Sequence, residues 1–409
     1  MLSEPGVVII GGGHAGGRVA QHLRSLGFDR PITVVSSESR YPYERPALSK
    51  ELLIGTKAIE EVALQPRAAW SDTEFMLNVE VTQVDFGRRQ VVLSSGWSIA
   101  FEQLVVASGG SPRRLPFPAH PDPRVVTMRT LDDSLALKQR LETARRIVVV
   151  GGGVIGLEVA AAARVLGVEV TVLEASARLA ARIGPPTLSS WLLQLHRQNG
   201  VEVELNALVN SITSGGAQAV VGGRAGNGRA FSIEADVVLV AVGIDPSVHF
   251  LEGSGITTNN GIAVDAFCRL AHDRNCYAVG DVANTFNPLY GRHVRLETWR
   301  NAENQGQAVA EFICGRTEPF FEVPWMWTEQ YGHNVQVIGL WDNAAEVVER
   351  GDFGNPGSAC VWSHGGTVAG GVLIDSGRDR RVIEKLVSER AHINPGKFSD
   401  LSQPLRKFA

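Results

Sequence analysis

Short runs of β-branched residues alternate along the chain with amphipathic stretches and glycine-rich turns, and one stretch organises the rest. Residues 147–150 (Ile-Val-Val-Val) lead into Gly151-Gly152-Gly153-Val154-Ile155-Gly156, and an apolar helical pattern follows as far as Leu166. Gly167 closes that helix, and a second strand at 168–173 ends on Glu174. A continuous apolar run bounded by turn signals reads as a buried strand, and the following periodicity as a helix. The first copy of the pattern lies at 7–10, entering Gly11-Gly12-Gly13-His14-Ala15-Gly16, with a helix at 17–26 ended by Gly27 and a strand at 32–35. In each turn the first glycine permits the bend, the second lets backbone approach a pyrophosphate, and the third lets helix and strand pack closely. Helix N-terminal N–H groups and the dipole then favour the phosphates. Two such turns predict two dinucleotides in preference to one dinucleotide and one decayed copy.

The remaining pattern fills out an α/β chain. Residues 78–94 read as two strands around Phe86-Gly87, and 104–109 (LVVASG) as a buried strand ending on small residues, Ala107 and Gly109 among them. A helix at 187–199, a strand at 201–205 and a strand at 237–242 running into Gly243 complete the second half. The chain then returns through Tyr277-Ala278-Val279-Gly280-Asp281, where Asp281 taken alone reads as a cap. A helix begins near Asn301 and ends at Gly315; beyond it come prolines, Trp325, Trp327 and Trp341, strands at 335–340 and 368–374, and a helix at 379–391. The expectation is two Rossmann-like modules, the second inserted into the first, plus a C-terminal α+β domain. The boundaries drawn are 1–110 with 245–318, then 111–244, then 319–409.

Composition narrows the function. At 409 residues, with 44% hydrophobic and 20% charged residues and 44 glycines, the chain supports several domains rich in tight turns. A net charge of −4 supplies no global basic field, so nucleic acid is not an expected partner. No apolar stretch offers the roughly 20 uninterrupted residues of a membrane span, and no Lys or Arg precedes the first apolar run as in a signal peptide. Cys268, Cys276, Cys314 and Cys360 stand far apart and read as buried small hydrophobes in a reducing compartment, the cytoplasm. The ten histidines show no ligand spacing, so no metal is expected. His14, inside the first turn, reads as an exposed turn residue. The strand at 32–35 is followed by Ser36-Ser37-Glu38, so either Ser37 or Glu38 takes the ribose role that Glu174 fills in the second module.

Taken together, the two fingerprints with YPYERPALSK, LVVASGGSPR, VAVGIDP, YAVGDVA and the ETWRNAENQG–PWMWTEQ pair resemble the FAD-dependent ferredoxin reductases of bacterial oxygenase systems. These are members of the glutathione-reductase-like two-dinucleotide flavoproteins. The resemblance covers nearly the whole chain. It implies FAD on Gly11, Gly13, His14, Ala15 and Gly16, with Ser37, Glu38, Arg45, Lys50, Val81, Ala107, Gly109, Arg129, Gly280, Asp281 and Trp299 as further contacts. It implies NAD(H) on Gly151, Gly153, Val154, Ile155, Gly156, Glu158, Glu174, Arg182 and Gly243. Glu174 would favour NADH over NADPH, because a carboxylate repels a 2′-phosphate; Arg178 and Arg182 could bind pyrophosphate or weaken that preference.

The same resemblance implies a mechanism. Where disulfide reductases of this fold carry two thiols, this chain has Pro42, Tyr43 and Glu44. The implied route is therefore NADH to FAD to a [2Fe–2S] ferredoxin, with C4 of nicotinamide roughly 3–3.5 Å from flavin N5. Lys50, Glu158 and Trp327 would be the catalytic residues: Glu158 beside the nicotinamide, Lys50 its ion-pair partner, and Trp327 between flavin and ferredoxin. Trp325 and Trp341 read as core. Arg295, Arg300, Arg378, Arg380 and Arg381 are candidates for a basic docking surface. A ferredoxin-independent NADH oxidase and a flavin-based NADH sensor are the competing readings, and the sequence is compatible with a monomer or a homodimer.

Overall fold

The structure, a computed structural model, describes residues 5–117, 122–258, 260–355 and 357–408. Residues 1–4, part of the stretch read for a signal peptide, lie outside them. No described helix is long and apolar enough to cross a membrane. Packing divides the chain into two units. The first comprises Met1–Arg45, Ile59–Ser111 and Asp245–Glu322; the second comprises Pro46–Ala58, Pro112–Ile244 and Val323–Ala409.

The first unit is built on a parallel sheet in the order Asp273–Ala278, Ser98–Val106, Gly6–Ile10, Ile32–Val35, Glu74–Met76. Gly6–Ile10 is buried along its whole length, which is why it reads as an unbroken apolar run. Its side chains still alternate between two cores. Val8 and Ile10 join Val84, Val91 and Phe250 on one face, while Val7 and Ile9 join Val19, Leu23, Val309 and Phe312 on the other. A fully buried Val or Ile contributes about 1.5–3 kcal/mol relative to exposure. The strand Ser98–Val106 serves twice, antiparallel to Gln90–Leu93 in a meander and parallel to Gly6–Ile10 in the main sheet.

The second unit repeats the plan. Its parallel sheet runs Val201–Leu205, Glu169–Glu174, Arg146–Val150, Val237–Val240, Val125–Val126, with a meander of Leu208–Gly215, Gln218–Arg224 and Ala230–Ala235. An antiparallel sheet of Trp325–Gln330, His333–Gly339, Thr367–Ile374, Ala359–His364 and Glu346–Arg350 completes it, covered by the amphipathic helix Arg380–Ser388. The helix Val154–Val165 is buried almost all round, and one core joins its Leu157 and Ala160 to Val335, Val337 and Trp362 of the antiparallel sheet. Glu158, on this helix, is thereby held indoors.

Several local expectations are corrected. The first helix begins at His14, not at 17, because Gly13 is already its N-cap. The short helix that the sequence places from Leu48, just past Pro46, begins instead at Glu51, after a 3-10 turn at Pro46–Ser49, and runs to Ile54. The last long helix stops at Ser388, and Arg390 turns back with φ +51°. Cys314 is exposed, unlike the three buried cysteines. Trp325 is half-buried rather than core; the tryptophan wholly inside the C-terminal sheet is Trp362, whose indole N–H donates to the Leu340 carbonyl at 2.7 Å.

Candidate functional site

The two glycine turns are superimposable in kind. Gly11 and Gly151 both have φ +112°, where an L side chain is strained, and a Cβ would lie 2.3 Å from the Ala107 carbonyl oxygen in one and 2.4 Å from that of Ala241 in the other. Gly16 and Gly156 pack the helix onto the turn, a Cβ there falling 2.0 and 2.2 Å from the carbonyl oxygens of Gly11 and Gly151. Helices start at His14 and Val154, each after an extended glycine N-cap with no side-chain cap. Their first N–H groups therefore point out as donors for an anion.

Around the first turn the side chains are charged and closely held. A Cβ on Gly13 would face the Arg45 guanidinium at 3.3 Å. Burial opposes the charge of Arg45, but Tyr43, Glu38 and Asp281 outweigh it and raise its pKa, so it stays cationic. Glu38 is anchored by Arg45 at 2.5 Å and by the Tyr43 hydroxyl at 2.5 Å, whereas Ser37 is exposed. His14 is not an exposed turn residue: it is 6% exposed, Nε2 lies 2.7 Å from Glu303, and its ring centroid is 5.3 Å from that of Trp299. Its Nδ1 is buried and meets no partner among the described residues, as a nitrogen turned toward a dinucleotide would be. Burial works to raise the Glu303 pKa, but His14 and Arg18 lower it overall. Gly280, with φ +73°, brings the returning strand against Ala15, and its N–H donates to buried Gln305 at 2.8 Å, which sets Asp281 beside the turn. Ala107 and Val81 are buried in this unit, and Gly109 takes φ +65°.

The second turn is more open. A Cβ on Gly153 would meet nothing within 4 Å, and Ile155 is 44% exposed. Glu174 is fixed by backbone donors, Gly152 N–H at 2.6 Å and Ser176 N–H at 2.7 Å, which aims its carboxylate across the turn. Gly243, φ +104°, faces the guanidinium groups of Arg182 and Arg113, at 3.7 and 3.9 Å from its Cβ position. Arg178 is held as a brace within the second unit. It donates to the carbonyls of Gly184 and Ala181, to Ser189 and to Asn343, and lies over Trp341. Arg129 precedes a capping box, its N–H bonded to Asp133 at 2.9 Å.

Lys50, Glu158 and Trp327 meet within the second unit. The Glu158 carboxylate, 3% exposed, accepts from Ser49 Oγ at 2.5 Å, Thr328 Oγ1 at 2.6 Å and Lys50 Nζ at 3.3 Å. Losing one partner of a buried pair typically costs about 3–5 kcal/mol. Lys50 Nζ also sits 5.6 Å from the Trp327 ring centroid, and Trp327 stacks on Trp325 at 5.3 Å and 18°. Arg380 covers the outer face of Trp325 at 4.6 Å. Of the arginines expected to form a basic surface, Arg295 pairs with Glu297, Arg300 with Glu322 and Arg380 with Glu384; Arg378 and Arg381 are exposed. Sequence reasoning missed Ser49, Thr328, Gln305 and Glu303, whose only signal is tertiary.

The pyridine nucleotide-disulphide oxidoreductase family matches residues 5–306, and the reductase C-terminal family matches residues 325–409. The ferredoxin–NAD(+) reductase component of the anthranilate 1,2-dioxygenase system of Burkholderia cepacia is 36% identical over 414 residues, spanning 100% of both chains. The putidaredoxin reductase–putidaredoxin covalent complex superposes with TM-score 0.93 at 29% identity, over 99% of this chain and 98% of that one. The ferredoxin reductase for the CYP199A2 system from Rhodopseudomonas palustris also gives TM-score 0.93, at 31% identity over 99% and 100%.

Proposed function

The chain belongs to the pyridine nucleotide-disulphide oxidoreductase family, and on that premise we propose that it is an NADH-dependent ferredoxin reductase, passing electrons through FAD to a [2Fe–2S] ferredoxin that feeds an oxygenase. The observation that carries this reading is the state of the thiols. Burial pushes Cys276 and Cys360 up to about 12 and raises Cys268 as well, and Cys314 stands alone at the surface. None is a thiolate poised for disulfide exchange. Bound FAD takes up two electrons together and releases them singly, which a one-electron acceptor requires.

The residues divide that work. Arg45 and the helix start at His14 hold the FAD pyrophosphate, Glu38 its adenosine ribose and Asp281 its ribityl chain. The helix start at Val154, with Arg182 near Gly243, holds the NADH pyrophosphate, and Glu174 accepts from the ribose hydroxyls and disfavours a 2′-phosphate. Glu158, held by Lys50, Ser49 and Thr328, lines the nicotinamide site. Ligand roles follow the division 1–110 with 245–318 for FAD, 111–244 for NADH and 319–409 for ferredoxin. The Trp325–Trp327 stack, covered by Arg380, is the acceptor face. The absence of an apolar spanning helix among the described residues and the unpaired cysteines support a cytoplasmic site of action.

The test is anaerobic reduction of the flavin by NADH, followed by cytochrome c reduction with and without a [2Fe–2S] ferredoxin. The expected result is a rate that rises roughly tenfold or more with ferredoxin. Rapid NADH consumption by oxygen alone, indifferent to ferredoxin, would overturn it in favour of an oxidase.

A further inference from the structure

We propose that Tyr331, His196, Gln330 and Thr328 form a one-directional hydrogen-bond chain that positions the Glu158 carboxylate beside the nicotinamide for hydride transfer from NADH to FAD, an inference that rests on the role of Glu158 given above. The links are continuous. Tyr331 OH lies 3.4 Å from His196 Nδ1, His196 Nε2 lies 2.7 Å from Gln330 Oε1, Gln330 Nε2 lies 3.0 Å from Thr328 Oγ1, and Thr328 Oγ1 lies 2.6 Å from Glu158. His196, Gln330, Thr328 and Glu158 are all 3% exposed or less.

The chemistry at the two ends sets the direction. A carboxylate only accepts, so the single Thr328 proton goes to Glu158 and Gln330 must donate its amide N–H to Thr328. That turns Gln330 Oε1 toward His196, which must therefore carry its proton on Nε2. Burial lowers the His196 pKa to about 4, so the ring is neutral near pH 7 and Nδ1 is left to accept from Tyr331. Every donor points toward Glu158, and such aligned bonds reinforce one another in a low-dielectric interior.

The strand Trp325–Gln330 makes this possible by alternation. Trp325 and Trp327 share one face, while Thr328 and Gln330 share the buried other. The two-residue turn Tyr331-Gly332, with φ +52° and +80°, reverses the strand and sets the Tyr331 ring edge-on to His196 at 5.2 Å and 75°. His196 lies in the last turn of the helix Pro186–Gln198. The chain thus ties two elements remote in sequence to one carboxylate oxygen.

The rival is a merely structural seam, and FAD-loaded variants under anaerobic stopped-flow separate the two. His196→Leu should slow NADH-driven flavin bleaching about tenfold, with the NADH dissociation constant within about twofold. His196→Gln, which can still donate to Gln330, should recover most of the rate. Gln330→Glu supplies a pH readout: its protonated form keeps one donor and one acceptor, so its rate should match wild type near pH 5 and fall toward pH 8. Wild type should be flat there, because His196 titrates at about 4. Charged or titratable groups beside the chain include Lys50, Glu158, Tyr331, Arg164 and, directly across the ladder from Gln330, His333 with its partner Asp375. Nitrogen-15 histidine spectra should show an unchanging Nε2–H tautomer for His196 over the same range. Equal losses in both His196 variants with a flat Gln330→Glu profile would overturn the proposal, as would an unslowed His196→Leu. A wild type that NADH does not reduce overturns the reductase reading, and this inference with it.

Discussion

The turns at 11–16 and 151–156 share their backbone and differ in their company. Both open with a glycine at φ +112° and cap their helices with an extended glycine. Around the first stand a half-buried cation, Arg45, and the buried His14 held by half-buried Glu303, which Arg18 also binds. Around the second, Gly153 looks onto open space and Ile155 is largely exposed, with Glu174 tethered to the turn itself. A local motif makes a phosphate turn; what surrounds it decides whether the nucleotide is retained or exchanged. The first suits a cofactor that stays, the second a substrate that comes and goes.

Valine substitutions at the leading glycines should break this comparison most severely. Gly11→Val, strained in φ and placing its Cβ against the Ala107 carbonyl, should yield protein with little bound flavin, read as the 450 to 280 nm absorbance ratio. Gly151→Val should keep its flavin and lose NADH affinity by roughly a hundredfold, about 2.7 kcal/mol. Flavin loss from both would erase the distinction.

Glu158→Ala comes next. It leaves Lys50 without its carboxylate in a largely buried site, and the flavin-reduction rate should fall by roughly ten- to a hundredfold. Unchanged rate and NADH affinity together would refute the pairing. Glu174→Ala should act more mildly, cutting the NADH over NADPH preference by about tenfold in kcat/KM. Equal efficiency with both nucleotides in the unaltered protein would remove the basis for that role.

Acid stability offers the smallest but most graded contrast. The folded pKa of His196, about 4 against an ordinary 6.5, means stability is lost as pH falls from 6.5 toward 4. Glu303 has the opposite character, a carboxylate whose lowered pKa contributes stability above 4.5 that is lost as pH falls through its lower folded value. Thermal melting should therefore weaken first through the second unit. His196→Gln should flatten the upper part of the decline and Glu303→Gln the lower part.

Both glycine turns were legible in the sequence from local turn chemistry, and the Lys50–Glu158 pair from the resemblance that the motifs carry together. The partners of His14 were not. Glu303 lies 289 residues away and leaves no periodic trace, so a histidine in a turn read as exposed when burial between two helices was the outcome. His196 and Gln330, 134 residues apart, escaped for the same reason. Pro46–Ala58 reads as continuous with the first module but packs with the second unit, since Leu53 belongs to the core around Leu157. Trp325 looked like core because tryptophan usually is; its stacking on Trp327 and its cover by Arg380 are tertiary facts.

The central claim is that electrons pass through the flavin with no thiol relay, and counting reducing equivalents tests it most directly. Anaerobic titration of the FAD-loaded protein with NADH should complete the bleaching at 450 nm with one equivalent per flavin, and added ferredoxin should restore the colour. Consumption of two equivalents, with two thiols becoming newly open to alkylation, would reveal a redox-active disulfide and contradict the account.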